Sequence, residues 1–391
     1  MSLRSAAQNV IGRWLMSLEP VKRAATREER EAIYRFRYEV YIEELKYHYP
    51  AADHQRRWLT HDEDEKPYTT LLYTESGGKV TSAAQVRAWE PAQVPARDHR
   101  ALSLDLFPGI ETLRVAQIGR LMIRPTLRGQ LLMPSLLRAG YEYLAGEALT
   151  DLAFIDCAPG IARHYLQLGA RPYGGRLLVG PGIPLLLVPS DHERLRRLGS
   201  PVAPLVRKYF GPGKRAALDL TPFRHLLDGD NVPVEFDREK VWREFETHLL
   251  GEERERPIFV QDVPLKVLQR LATSGFLLKV GAGDIVTGQD IQERELYLTL
   301  EGELEVTRDG RRVALLDRGD LFGDIGFFTA AGTRTASVRA LTGARVLVLR
   351  RKFLQEITRE FPEGGFQVLM NISRVMAERM AGLVRTSSDG R

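Results

Sequence analysis

Two periodicities divide this 391-residue chain. From Arg27 to about Asp191 helical and strand-like spacings alternate, while from about Pro257 short apolar runs broken by glycine dominate. In the first region Thr26 is an expected N-cap, with Glu28 and Glu29 in the first turn of a helix over Glu28–Leu45. Tyr68–Thr74 and Val80–Trp89 read as strands around a Ser76-Gly77-Gly78-Lys79 hairpin turn. Leu113–Ile123 and Asp151–Cys157 read as further strands. Leu127–Leu149 reads as a helix, and Gly160–Leu168 as a short one closed by Gly169. Leu177–Val188 is apolar but interrupted by Gly and Pro, which suits two strands around a turn. An Arg-rich helical segment and a Pro/Gly-marked stretch follow, then a helix Asp237–Leu250 with Val241, Trp242, Phe245 and Leu249 at helical spacing. In the last region Val263–Ala272 is a short helix, and Gly283, Gly288 and Gly302 mark sharp strand turns. Ala344–Leu349 is the expected final strand. Two helices then close the chain, the second with Leu369, Ile372, Met376 and Met380 along one face. The expected fold class is α+β, in four segments: a helical extension 1–26, a mixed-sheet domain 27–191, a helical connector 192–256 and a β-roll with flanking helices 257–391.

Composition narrows the partners. Hydrophobic residues make 43% and charged residues 27% of the chain, as in ordinary globular proteins. The net charge of +5 is spread along the chain, so it reads as an Arg-rich solvated surface rather than a nucleic-acid interface. No apolar run approaches the ~20 residues of a membrane span. The N-terminal Val10, Ile11, Trp14, Leu15 and Leu18 suit a helix docked on its own domain, with peripheral membrane contact as the other reading. A single cysteine, Cys157, forbids an internal disulfide and fits a reducing cytoplasm. No His/Cys cluster has metal-ligand spacing, so no metal is expected.

The stretch FGDIGFFTAAGTRTASV, Phe322–Val338, concentrates candidate binding chemistry. Gly323 and Gly326 permit φ > 0 and close backbone approach, Arg334 offers a planar fork of donors to a phosphate, and Asp324 can accept from sugar hydroxyls. This stretch resembles the phosphate-binding cassette of cyclic nucleotide-binding domains. The resemblance extends to Gly283-Asp284, Gly288 and Leu296-Tyr297 with Gly302, and to a final helix suited to act as a lid or to pair with a second subunit. It implies an effector, cAMP or cGMP, held by Phe322, Gly323, Asp324, Ile325, Arg334, Thr335 and Ala336. Thr335 is similar to the threonine that favours cGMP in some members. The family has Glu where this chain has Asp324, which leaves open whether binding is retained.

The 27–191 region resembles the GNAT acyltransferase fold, through RPTLRGQLLMPSLL after a strand and YLQLGA around Tyr165. In that fold Arg128, Gly129 and the following helix N-terminus would meet the anion of the acyl donor, amides beside Leu121–Ile123 would polarise the thioester carbonyl, and Tyr165 would lie near the leaving thiolate. Leu131 and Met133 replace the usual glycines, which leaves acyl carrier protein as donor beside CoA. Within that fold the ordered set Arg37, Val40, Tyr41, Glu43, Glu44, Leu45, Tyr47, then Asp62 and Asp64, Arg87, and Gln117 with Arg120, is similar to autoinducer synthases and long-chain N-acyl amino acid synthases.

Acyl transfer to an amino-acid-like amine needs a cation for the acceptor carboxylate and an anion for its ammonium. Arg87 and Arg120 are candidates for the first, Asp62 and Asp64 for the second, and Arg37 completes the set. Gln117 stands where the family has an acid, so the base is another group such as Asp156 or His164, the amine arrives neutral, or catalysis is lost. Cys157 reads as a structural thiol. The expected function is a cyclic-nucleotide-regulated N-acyltransferase. The alternatives are a non-catalytic sensor of an acyl carrier and nucleotide, and a regulated lysine acetyltransferase. A homodimer remains open.

Overall fold

A computed structural model describes the chain outside residues 1–19, 46–48, 50, 125–131, 158, 175–181, 228–232, 252–254, 330–331 and 389–391. Of the described residues, those before 176 and from 183 to 231 make one compact unit, and those from 232 onward make another.

The main sheet of the first unit is built of β1 (Lys22–Arg23), β2 (Thr69–Ser76), β3 (Lys79–Trp89), β4 (Val115–Ile123), β5 (Leu152–Cys157), β6 (Arg171–Pro172) and β7 (Ile183–Leu187). They form one sheet in the order β1-β2-β3-β4-β5-β7-β6. Every pairing is antiparallel except β4 with β5. The β2–β3 turn needs positive φ twice in succession, and Gly77 (φ 58°) and Gly78 (φ 72°) supply it. The parallel pairing starts at Val115 with Leu152 and ends at Ile118 with Ile155, although both strands continue. At that level β4 bulges. Ala83 faces Met122 and Gln85 faces Gly119, so Arg120 and Leu121 together oppose Ala84. Arg120 takes φ 52°, a left-handed conformation rare for a bulky residue.

Helix α1 (Arg27–Tyr38) starts at a capping box in which Thr26 accepts from the Glu29 amide and Glu29 accepts from the Thr26 amide. It runs into a π turn, Glu39–Glu44. Ile33, Phe36, Leu71, Tyr73 and Ala83 pack together on this face of the sheet. The opposite face is covered by α2 (Leu132–Glu142), whose Leu136 packs on Leu72, Ala84, Val86 and Ala153. The next helix, α3 (Pro159–Gln167), is followed by Gly169 at φ 112°. Of the two strands expected over 177–188, the second is β7 and the first lies outside the described residues. The segment expected as a connector is divided between the units. In its first part α4 (His192–Arg197) and α5 (Ala203–Tyr209) bury Leu195, Val202 and Val206 against Tyr141 and Ala145 of the first unit.

The second unit holds β8 (Val234–Glu235), α6 (Arg238–Leu249) and α7 (Leu265–Ser274). These precede β9 (Phe276–Val280), β10 (Ile285–Thr287), β11 (Glu295–Glu301), β12 (Leu304–Arg308), β13 (Arg311–Leu316) and β14 (Leu321–Phe322). A short α8 (Asp324–Phe328), β15 (Ser337–Ala340), β16 (Ala344–Arg350), α9 (Arg351–Glu360) and α10 (Pro362–Ser388) complete it. The strands form two antiparallel sheets, β8-β9-β16-β11-β14 and β10-β15-β12-β13, the β-roll that the glycine pattern predicts. Val241, Phe245 and Leu249 of α6 lie inside its core with Leu268, Leu298 and Leu347. Each such buried side chain contributes roughly 1.5–3 kcal/mol, which makes α6 integral to this unit rather than part of a separate connector. Helix α10 buries Val368 and Ile372 in the same core, while Met380 is exposed.

Candidate functional site

On the α1 face of the first sheet, polar side chains converge where an alternating strand would place apolar ones. Arg37 of α1 and Asp64 are each 1% exposed and form a bidentate pair, Nη1 to Oδ2 at 2.5 Å and Nη2 to Oδ1 at 2.9 Å. Asp64 also accepts from the His61 amide at 2.9 Å and from Gln85 Nε2 at 2.7 Å. Four donors saturate it. Arg37 and these hydrogen bonds outweigh burial and hold its carboxyl below the ordinary carboxylate value. Asp64 is therefore the counter-ion of Arg37, not the ammonium receptor that the sequence suggested. Asp62 is exposed and stands outside this cluster.

Gln85 of β3 links that pair to Arg120. Its Oε1 accepts from Arg120 Nε at 3.1 Å. Arg120 Nη1 lies 2.7 Å from His61 Nε2. Burial, and then the charges of Arg120 and Arg37, push the His61 imidazole down to about 4, so it is neutral at pH 7. Arg120 can only donate, so Nε2 accepts and the ring proton sits on Nδ1. Burial and the repulsion of Arg37 lower the guanidinium of Arg120 as well. Among the described residues no carboxylate forms an ion pair with Arg120.

Arg87, two positions along β3 on the same face, is committed. It pairs with Asp98 at 2.8 Å, donates to Gln117 Oε1, and lies over the Trp89 ring. Of the two arginines expected to clamp a carboxylate, Arg120 alone is left without an anionic partner. Among the described residues the ion pairs here are Arg37 with Asp64, Arg87 with Asp98 and Arg97 with Glu63, and Arg120 is in none of them. An anion from solution is the natural complement of Arg120.

The other sheet face carries an apolar cavity of about 60 Å³, lined by Leu72, Val86, Ile118, Leu121, Ile155 and Tyr165 among others. Tyr165 is buried, which raises its phenol above the usual value. Cys157 is buried and its thiol is also pushed up, which makes it an inert structural cysteine. Leu121 lines the cavity, whereas Ile123 pairs with Ser82 in the β3–β4 ladder. Arg128 and Gly129 lie outside the described residues. Asp156 reaches solvent at the end of β5, yet desolvation raises its carboxyl.

In the second unit Gly323 adopts φ 79° and caps α8, where Asp324 is the first residue. Gly326 is needed for another reason than the positive φ that the sequence suggested. It sits inside α8, where a Cβ would come within 2.9 Å of the Glu293 carbonyl oxygen. Phe322 is buried and stacks on Tyr297 with ring centroids 4.7 Å apart. Ile325 and Thr335 are exposed and Ala336 is half-buried. Arg334 is 2% exposed. Its guanidinium packs so closely over Gly323 that a Cβ there would lie 2.2 Å from Nη1.

His61, Gln85, Asp98 and Glu293 complete these sites and were not singled out from the sequence. Gln85 carried a signal, a polar residue alternating with Ala83 and Arg87 on one strand face. Glu293, inside the charged run Glu293-Arg294-Glu295, carried no signal of its own.

Residues 32–179 match the family model for N-acyl amino acid synthase FeeM. Residues 277–361 match that of the cyclic nucleotide-binding domain. The chain thus carries a region that matches the N-acyl amino acid synthase family model and, after it, one that matches the cyclic nucleotide-binding domain model. The second domain is similar to the human cyclic nucleotide-gated channel beta-3, 36% identical over 25% of this chain and 13% of that protein. It is also similar to the cGMP-dependent protein kinase egl-4 of Caenorhabditis elegans, 29% identical over 29% of this chain and 14% of that protein. The chain thus spans only about a seventh of these relatives. Among solved structures, the Thermus thermophilus catabolite activator protein matches 34% of this chain and 62% of its own at 22% identity and a TM-score of 0.30. A cyclic nucleotide-binding domain from Methylobacillus flagellatus matches 37% and 79% at 18% identity and a TM-score of 0.31. Among the described residues no group of His, Cys, Asp and Glu could hold a metal ion, and no helix is long and apolar enough to cross a membrane.

Proposed function

We propose that the first domain transfers an acyl group from a thioester, on acyl carrier protein or CoA, to the amine of an amino-acid-like acceptor, in a GNAT-type reaction. The single observation that carries this reading is the polar cluster in which, among the described residues, Arg120 is in no ion pair. Arg120 receives the acceptor carboxylate, and the acyl tail lies in the apolar cavity across the sheet. The thioester is held where β4 and β5 cease to pair, and an amide at the β4 bulge polarises its carbonyl.

The acceptor ammonium first loses a proton. Asp156 follows Ile155, the last β5 residue paired with β4, and its side chain alternates to the face of Phe154, the face that also carries Gln117. Its raised carboxyl takes that proton, directly or through water. The neutral nitrogen attacks the thioester carbon and the C–S bond breaks. The thiolate leaves with the second amine proton, and the amide remains. The second domain binds a cyclic nucleotide, cAMP or cGMP, as the effector of this reaction in the cytoplasm.

The test incubates the full chain with long-chain acyl-CoA or acyl carrier protein and a panel of amino acids. Free thiol is followed optically and product by mass spectrometry. Amine-dependent thiol release with the mass of an N-acyl amino acid is expected. No release with any donor and acceptor would overturn the reading and favour the non-catalytic sensor. One observation favours that second reading: Gln117, where the family pattern has an acid, is tied to Arg87.

A further inference from the structure

The phosphate-recognition arginine of the second domain already has a partner. Arg334 donates from Nε to Glu293 Oε2 at 3.1 Å, from Nη1 to the Gly323 carbonyl at 2.5 Å and from Nη2 to the Glu295 carbonyl at 2.6 Å. The Tyr297 ring lies 5.1 Å from its guanidinium carbon. The Glu293 side chain has no exposed surface and that of Arg334 only 2%. Glu293 is held from two further directions. Its Oε2 accepts from Thr287 Oγ1 at 2.6 Å and its Oε1 from the Tyr297 hydroxyl.

We propose that Glu293 is a resident counter-ion that takes the place of a phosphate on Arg334, so that a cyclic nucleotide binds only by displacing it. Both anions need the same guanidinium, and a buried guanidinium already neutralised by a carboxylate has little attraction left for a second anion. Displacement leaves Glu293 buried with only Thr287 and Tyr297 to satisfy it, beside Glu295, whose ionised form burial and then Glu293 already disfavour. The pair therefore acts as a threshold, and nucleotide affinity is set by Glu293 as much as by the cassette.

This inference rests on the nucleotide-binding reading and predicts an effect of definite sign. If Glu293 instead positioned Arg334 for the phosphate, removing its charge would weaken binding. The experiment is calorimetric titration of the full chain with cAMP and with cGMP. It compares wild type, Glu293→Gln, Glu293→Ala, and Glu293→Gln combined with Arg334→Ala, each checked for folding by thermal melting. At least about ten-fold tighter binding by Glu293→Gln is expected, lost again in the double variant. Glu293→Ala carries the test should Glu293→Gln fail to fold. Equal or weaker binding by the charge-free variants, with wild type binding, overturns the proposal and leaves the nucleotide reading intact. No binding by any folded protein overturns both.

Discussion

Arg120 and Arg334 are the same side chain with the same expected task, in two domains, and their surroundings differ by one kind of neighbour. Arg120 faces Gln85 and a neutral His61, and Asp64, the carboxylate that Gln85 also touches, is spent on Arg37. Arg334 faces Glu293 and two carbonyls, and all its donor groups are engaged. The first guanidinium is open to an anion and the second is closed by one. Whether an arginine is available is therefore decided by the residue opposite, 35 positions away for Arg120 and 41 for Arg334.

Three changes would break or sharpen this contrast. The largest effect is expected from Asp64→Asn, which leaves Arg37 as a buried charge without a counter-ion. A loss of about 3–5 kcal/mol of unfolding free energy should follow, read from urea titration of the first domain's transition. A loss under about 1 kcal/mol would mean that Asp64 does not anchor the cluster. The next effect is on pH. The folded His61 titrates at about 4 against an ordinary 6.5, so between these values the unfolded chain binds more protons. Stability should rise from pH 4 to 6.5 and level off above, by at most about 3 kcal/mol from this residue. His61→Gln should flatten that window, and an unchanged slope would show that His61 is protonated in the fold. The smallest and most pointed change is Gln85→Glu, which places a carboxylate beside Arg120 as Glu293 stands beside Arg334. The acceptor KM should rise about ten-fold, equal to about 1.4 kcal/mol, with little change in donor KM. No change would mean that Arg120 does not meet the acceptor.

Much of this was legible in the sequence, for local reasons. Thr26 and Glu29 mark the start of α1 because a capping box is written in four consecutive residues. Gly77 and Gly78 mark the hairpin because few other residues take positive φ twice in succession. Arg37, Arg87 and Arg120 were found as functional candidates through the resemblance of their ordered motifs to acyl-transferring synthases, and Arg334 through the resemblance of its stretch to a phosphate-binding cassette. What was not legible depends on pairing across the fold. The bulge at Arg120 exists only relative to β3, and nothing within Gly119-Arg120-Leu121 announces it. From sequence Asp64 reads as a partner for the acceptor ammonium and not for Arg37, since its four donors come from α1, β3 and its own loop. Glu293 was hidden for the same reason. The connector was misleading because an amphipathic helix such as α6 has the same spacing whether it links domains or belongs to one.

The most direct test of the account compares acylation of an amino acid with that of the same amine lacking its carboxylate, in wild type and in Arg120→Gln. If Arg120 is the open cation that receives the carboxylate, wild type should favour the amino acid by about 100-fold in kcat/KM, or about 2.7 kcal/mol. Arg120→Gln should lose most of that preference, through the amino acid rather than the plain amine. A preference that survives in Arg120→Gln would contradict the account and place the acceptor carboxylate elsewhere.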